Sequence, residues 1–439
     1  GVTVNMEGTA CHLRRPKGGD TIRVDRRDDL QQVQALSIGW VPESLLAVGG
    51  WAKPRGGDRA WPERLARLRD EGWLQMQLRR GAEPLGVFKP APPLGVGKDL
   101  NRPRLSRFAY AHFMGGRWVL ESPLTPVRVD IRSPEFWAVL AGSNRLTAAE
   151  TGRVWGWLAR AGMAVAGDDE EGLDGDGPLA YWSFHDLLFH GASLSGRKGE
   201  PATGTYRWRG RLDSPPMTRP ADPPTGVRIE LPEPGESERK ALQKPLSTVL
   251  DQRRSRREAG STNDLDVGRV AACLYASARV IWVQAISNDA DHVTYRPYPS
   301  GGARHSLEIY LWVRECRGLA PGLYHYDPIW HALQPVPLAG PRRAEFEQWD
   351  PFAHGEDPLP PVSFLITARI GRTAWKYEDI AYRLIQNDLG GLYQTIYLTA
   401  TALGMGPCAI GNVDASLFAD VTGRDDRDEP WIGALTLYP

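Results

Sequence analysis

The chain has 439 residues, with Lys+Arg and Asp+Glu equal at 53 each, a formal net charge of +0, 41% hydrophobic and 24% charged residues. That length predicts two or three domains of ordinary globular composition, and the balanced charge argues against a nucleic-acid binder, which carries a basic excess or stripe. No apolar run approaches the roughly 18–20 residues that span a bilayer, no signal peptide opens the chain, and Cys11, Cys273, Cys316 and Cys408 form no C-x-x-C pair, so no membrane span, disulfide framework or zinc knuckle is expected and a reducing cytoplasm is.

Residues 1–100 read as a first unit. Trp61-Pro62 opens a helix through Leu68 with proline near its first turn, and after Gly72 the run Trp73–Leu78 alternates like a strand. Residues 101–167 repeat this grammar. Phe108–Phe113 and Trp118–Glu121 flank Gly115-Gly116 as a hairpin. Thr147-Ala148-Ala149-Glu150 is a capping box opening a helix through Val154, Trp157 and Leu158. Gly162 stops it and Met163–Val165 resumes as a strand. The repeated helix, glycine, strand suggests two winged-helix-like modules. Without a basic cluster they suit peptide binding by strand addition better than DNA. Scaffolding or a dimer contact is the plainer reading.

Residues 168–238 read as linker and wrapping arm: an acidic, Gly-rich Asp168–Gly177, an ordered aromatic patch from Ala180 to Gly210, and a Pro-rich stretch from Asp213 to Glu238. His185 and His190 are five apart, which does not put two ligands on one helical face. Residues 239–439 form the last domain. A helix carries Leu242, Leu246, Val249 and Leu250, and Asp266 caps another with Val270, Cys273 and Leu274. Strands follow at Leu307–Val313 and Val362–Ile370, with a hairpin between Gly322–Pro328 and His331–Leu333. Trp431–Tyr438 is expected to close the sheet. Leu389, Leu392, Ile396, Ala400 and Leu403 have the spacing of a buried amphipathic helix, and Gly406-Pro407-Cys408-Ala409-Ile410-Gly411 reads as a tight, bare turn. Helices and strands without a βαβ rhythm indicate an α+β fold.

Three short motifs carry candidate chemistry. Arg253-x-Ser255-x-Arg257 sets a hydroxyl between two guanidiniums, which suits a phosphate dianion, although a solvated basic run has the same look. Pro299-Ser300-Gly301-Gly302 offers backbone N–H groups without side-chain bulk, or is a plain turn. Lys376-Tyr377, just ahead of the apolar helix, sets one cation and one phenol beside a rigid element, or is a surface lysine and a packing tyrosine. No G-x-G-x-x-G follows a strand, no Walker lysine is present, and no metal-ligand spacing occurs.

Their order resembles the FMN-dependent nitroreductase superfamily, and within it the SagB-type azoline dehydrogenases, which oxidise thiazoline and oxazoline rings in ribosomal peptides. Tyr181–His190, Gly322–Asp327 and Thr399–Gly411 resemble that branch too; Gly390-Gly391 departs from it, a polar residue or His often following the first glycine there. The resemblance covers roughly residues 100 to 439. It implies an FMN at a homodimer interface, with Arg253, Ser255 and Arg257 on its phosphate and ribityl chain. Pro299, Ser300, Gly301 and Gly302 would line the flavin, with Gly406, Ala409, Ile410 and Gly411 near the ring edge. Lys376 and Tyr377 match the branch's acid/base pair. Partners implied are an azoline-bearing precursor peptide and a cyclodehydratase. An NAD(P)H-dependent nitro or quinone reductase, and a flavin-free leader-peptide scaffold, are the alternatives.

Overall fold

A computed structural model describes residues 75–89, 100–143, 145–167, 177–194, 204–218, 227–257, 265–286, 291–349 and 359–439, with the backbone of three short strands near the start. The helix expected at Trp61–Leu68 and most of the Asp168–Gly177 linker lie outside these residues. The chain divides into two compact units, Gly1–Glu200 and Pro201–Pro439.

In the first unit, β1 (Thr3–Glu7), β2 (Ala10–Arg14) and β3 (Thr21–Val24) make an antiparallel sheet. A second sheet is built from β4 (Met76–Arg80) and β5 (Glu83–Lys89). The short β6 (Arg104–Leu105) lies apart from it, and it is completed by β7 (Tyr110–Met114), β8 (Arg117–Glu121) and β9 (Arg128–Ile131), in the order β4-β5-β9-β8-β7. It therefore takes strands from either side of residue 100. The expected hairpin is present: Gly115 (φ 59) and Gly116 (φ 78) supply the two left-handed residues that a tight β7–β8 turn requires. Helix α1 (Pro134–Leu140) starts at Ser133, whose side chain accepts the Phe136 N–H. Helix α2 (Ala148–Arg160) starts at the complete Thr147–Glu150 capping box. Strand β10 (Ala164–Val165) then returns to β6, and α3 (Phe184–Ala192) is capped by Ser183. Phe88, Val129, Phe136, Val154, Leu158 and Met163 form the core. These residues do not show a winged helix; their core is a five-stranded antiparallel sheet followed by α1 and α2.

The second unit opens its sheet with β11 (Ile229–Glu230), inside the stretch expected to be Pro-rich linker. Where one helix was expected there are two, α4 (Glu236–Leu242) and α5 (Leu246–Gln252). Pro245 separates them, because proline has no N–H to donate and disfavours helical geometry in the residue before it. Next come α6 (Val267–Ala278), capped by Asp266 as expected, and the hairpin of β12 (Trp282–Ala285) and β13 (His292–Tyr295). Strands β14 (Leu307–Val313), β15 (Gly322–Asp327) and β16 (Ala332–Val336) precede α7 (Arg343–Glu347). They are followed by β17 (Val362–Ala368), α8 (Ile370–Ala374), α9 (Ala381–Ala402), β18 (Gly406–Ile410), α10 (Ala415–Thr422) and β19 (Trp431–Tyr438).

Seven strands form one antiparallel sheet in the order β11-β16-β15-β14-β17-β19-β18. Both faces are covered, so all of β14 is buried. Ile309 and Leu311 pack with Val270 of α6 and Leu392 and Ile396 of α9, while Tyr310 and Trp312 pack with Phe346 of α7 and Phe418 of α10. Leu392 is fully buried, and truncating it to alanine would cost about 2–5 kcal/mol. Two expectations are corrected here. Gly406–Ile410 is a strand rather than a turn, pairing Pro407 with Leu437 and Ala409 with Leu435. Strand β19 therefore lies inside the sheet, and β18 is the edge, where a proline costs no ladder bond.

Candidate active site along helix α9

The Lys376-Tyr377 pair sits on the turn between α8 and α9. Both backbone N–H groups donate to the Thr373 carbonyl, at 3.1 and 3.0 Å. Trp375 is buried beneath them and its Nε1 donates to Leu212 O at 3.0 Å. Lys376 and Tyr377 are half-buried. The turn stands on a buried ionic network. Arg304, with no exposed surface, donates from Nη1 to both oxygens of Asp291 at 2.7 Å and from Nε to Arg372 O. Arg372 returns a bond to Arg304 O, and its guanidinium lies 3.7 Å from Asp291. Burial alone would raise the Asp291 carboxyl, but the bonds from Arg304 and Ser214 outweigh it and hold it below its ordinary value.

The Pro299–Gly302 loop faces this pair. A Cβ on Gly302, whose φ is 63°, would fall 2.8 Å from Lys376 Nζ and 2.5 Å from Tyr377 Oη. A side chain there would sit on strained left-handed backbone and push the lysine amine or the tyrosine hydroxyl aside. Two residues beyond it, Ala303 and His305, also hold left-handed backbone (φ 55 and 45), strain that persists only where surrounding bonds over-determine the loop. Those bonds come from α9. Ser300 Oγ donates to Asp388 Oδ2 at 2.6 Å and accepts the His305 N–H at 2.8 Å, while Gly301 N–H donates to Asp388 Oδ1 at 2.9 Å. Burial pushes the Asp388 carboxyl above its ordinary range, against those two hydrogen bonds. Gly391 explains itself as well, since a Cβ there would meet the Pro299 ring at 3.1 Å. His305, enclosed and pushed by burial down to about 3, is a neutral structural imidazole.

The other predicted cluster lies farther along the same helix. Tyr397 Oη accepts the Ala409 N–H at 2.8 Å and lies 2.8 Å from Ser255 Oγ. The Arg253 guanidinium is 5.4 Å from the centre of the Tyr397 ring. Arg256 N–H donates to Pro407 O, and a Cβ on Gly406 would touch the Arg256 side chain at 3.0 Å. So α9 holds the Pro299–Gly302 loop through Asp388 and the Arg253–Ser255 segment through Tyr397, about 13 Å apart at 1.5 Å per residue. Ile410 is buried, with its carbonyl accepting from Tyr393 Oη, whereas Arg257 and Gly411 are exposed.

Residues 204–218 cross the Lys376 turn as a strap. Its carbonyls are taken by a row of buried or half-buried donors: Leu212 by Trp375, Pro215 by Arg372, Pro216 by Arg369 and Met217 by Arg296. At its start, Tyr206 N–H donates to Lys376 O at 3.1 Å. Sequence reasoning missed Asp388, Tyr397, Tyr206 and the Arg304–Asp291 pair. Asp388 had a legible signal, since it is a carboxylate on the same helical face as Ile385 and Leu392.

Residues 250–437 match the nitroreductase family, and residues 103–199 match a family described as cyanobactin oxidase ThcOx. The chain is 30% identical over 168 residues to MJ1384 of Methanocaldococcus jannaschii, a protein named as a nitroreductase, covering 38% of this chain and 78% of that one. It is 28% identical over 180 residues to the trifolitoxin-processing protein TfxB of Rhizobium leguminosarum bv. trifolii, covering 40% of this chain and 48% of that one. It is 27% identical over 133 residues to the microcin B17-processing protein McbC of Escherichia coli, covering 28% and 46%. The chain thus spans about half the length of the two peptide-processing relatives. With its antiparallel sheet sandwiched between helices and its match to most of MJ1384, the chain belongs to the nitroreductase family.

Proposed function

We propose that this chain is an FMN-dependent dehydrogenase that converts thiazoline and oxazoline rings of a ribosomally made peptide to thiazoles and oxazoles. The observation that carries the reading is the double anchoring on α9. One helix holds a bare backbone loop beside Lys376 and Tyr377 at one point and an Arg–Ser segment at another. The names of TfxB and McbC as peptide-processing proteins, and of ThcOx as an oxidase, support the same direction.

The residues present fit FMN. Tyr397, having accepted the Ala409 N–H, can donate to Ser255 and leave the serine proton for a phosphate oxygen, beside the cations Arg253 and Arg257. Pro299, Ser300, Gly301 and Gly302 offer a surface with little side-chain bulk for a flat ring, fixed by Asp388. When bound, FMN supplies the two-electron acceptor, with dioxygen as terminal oxidant. Aromatising an azoline also releases a proton from ring carbon, and Lys376 Nζ, once it has given up its own proton, or Tyr377 Oη as phenolate, both beside Gly302, would take it. Trp375 and the strap close the inner side of this turn to water.

In the first unit, β7 ends the five-stranded sheet, and a precursor peptide or a cyclodehydratase segment would add there as a further strand. The homodimer and the cytoplasmic setting belong to the same proposal; no helix among the described residues is long and apolar enough to cross a membrane. The test is the visible spectrum of the purified protein together with the mass of what heat releases. Stoichiometric FMN supports the reading, and a protein that stays colourless after FMN is added overturns it. The likeness to MJ1384 favours a second reading, an NAD(P)H-dependent nitro or quinone reductase. Rapid bleaching of bound flavin by NAD(P)H, without azole formation, would decide for it.

A further inference from the structure

We propose that Tyr206 is a third member of this site, a positioning residue that holds the Lys376 ammonium beside Tyr377. The inference rests on the reading of Lys376 as a working residue, but its geometry stands independently. The Nζ of Lys376 is 5.7 Å from the centre of the Tyr206 ring and 5.3 Å from that of Tyr377, so the cation has an aromatic neighbour on the strap and another on its own turn. The Tyr206 ring is itself fixed. It meets Trp375 edge-on, at 5.6 Å and 88°, and the Arg209 guanidinium lies 4.6 Å from its centre. Its backbone is held by the bond to Lys376 O.

Two features mark this arrangement as built rather than incidental. Tyr206 has φ 50, a left-handed conformation unfavourable for any residue with a side chain, and it is held there by its own N–H bond to Lys376 O and by the Arg209 N–H, which donates to its carbonyl. Gly204 lies along the lysine stem, where a Cβ would come to 3.3 Å from both Cγ and Cε of Lys376. The lysine thus passes between the strap and the Pro299–Gly302 loop, with Gly204 along its stem and Gly302 at its amine. A chain that needed only a linker here would not require a tyrosine in strained backbone.

The test reads Lys376 directly and does not depend on turnover. Full-length protein is treated with limiting acetic anhydride, and acetylation of Lys376 relative to the other lysines is measured by peptide mass mapping. Tyr206→Gly suits φ 50, keeps the backbone bond and removes the ring; Tyr206→Leu removes the ring but keeps bulk; Tyr206→Phe keeps the ring. Loss of one partly exposed cation–π contact should raise Lys376 acetylation about two- to fivefold in the Gly and Leu variants. The Phe variant should label like wild type. Wild-type labelling in the Gly and Leu variants, or an equal rise in Phe, overturns the proposal. Failure of the catalytic reading would instead show as azole formation surviving Lys376→Ala, an outcome independent of the labelling.

Discussion

Gly302 and Lys376 meet so closely that a methyl group would displace the reacting side chains, with a Cβ at position 302 falling 2.8 Å from the lysine Nζ and closer still to Tyr377 Oη. Gly302→Ala would also place a side chain on left-handed backbone, costing about 1–2 kcal/mol. We predict that this variant folds and retains flavin but forms azoles about 10²-fold more slowly, since displacing reacting groups by an ångström has effects of that size. Steady-state rates with an azoline peptide check it. A wild-type rate would mean that the Lys–Tyr pair works elsewhere.

Asp388 ties α9 to the loop by accepting from both Ser300 and Gly301. Asp388→Asn offers a single acceptor oxygen, leaving one buried donor unpaired, and should lower unfolding free energy by about 1–3 kcal/mol at neutral pH. Because burial raises the folded-state pKa of Asp388, its favourable contribution is complete below the unfolded value near pH 4 and is lost as pH rises through the shifted one. The gap between wild type and variant in urea melts should therefore narrow from acid towards neutral pH. A gap that widens would contradict the assignment.

The Arg304–Asp291–Arg372 network carries the opposite pH signature. Asp291 is held below its ordinary value, so the stability it contributes is present above about pH 4 and lost as pH falls through the depressed value. Asp291→Ala would strand Arg304, which has no exposed surface, at a cost of about 3–5 kcal/mol. Acid titration of unfolding should show wild type losing stability on acidification while the alanine variant, already weak, loses less.

At the other end of α9, Arg253→Ala removes a charge-assisted donor pair from the proposed phosphate site. FMN affinity, read by quenching of flavin fluorescence, should fall roughly ten- to hundredfold, and more steeply in low salt. Unchanged affinity would move the phosphate elsewhere.

The extent of legibility in the sequence follows the range of the interactions. The α9 helix was readable because Leu389, Leu392, Ile396 and Ala400 repeat at local spacing, and the Thr147 capping box and Gly115-Gly116 turn are likewise complete within four residues. The Gly406–Ile410 segment misled because glycine and proline signal a turn locally, whereas its pairing with β19 is set by residues about 30 positions later. Tyr206 was invisible for the same reason: its partner Lys376 lies 170 residues along the chain, and nothing near Tyr206 marks the strained backbone that brings them together.

The most direct test of the central claim is the mass of an azoline-bearing peptide after incubation with FMN-loaded protein and oxygen. We predict loss of two hydrogens per ring with wild type, slowed about 10²–10⁴-fold in Lys376→Ala while flavin stays bound. An unchanged peptide mass with fully loaded wild-type protein, across thiazoline and oxazoline substrates, would contradict the account.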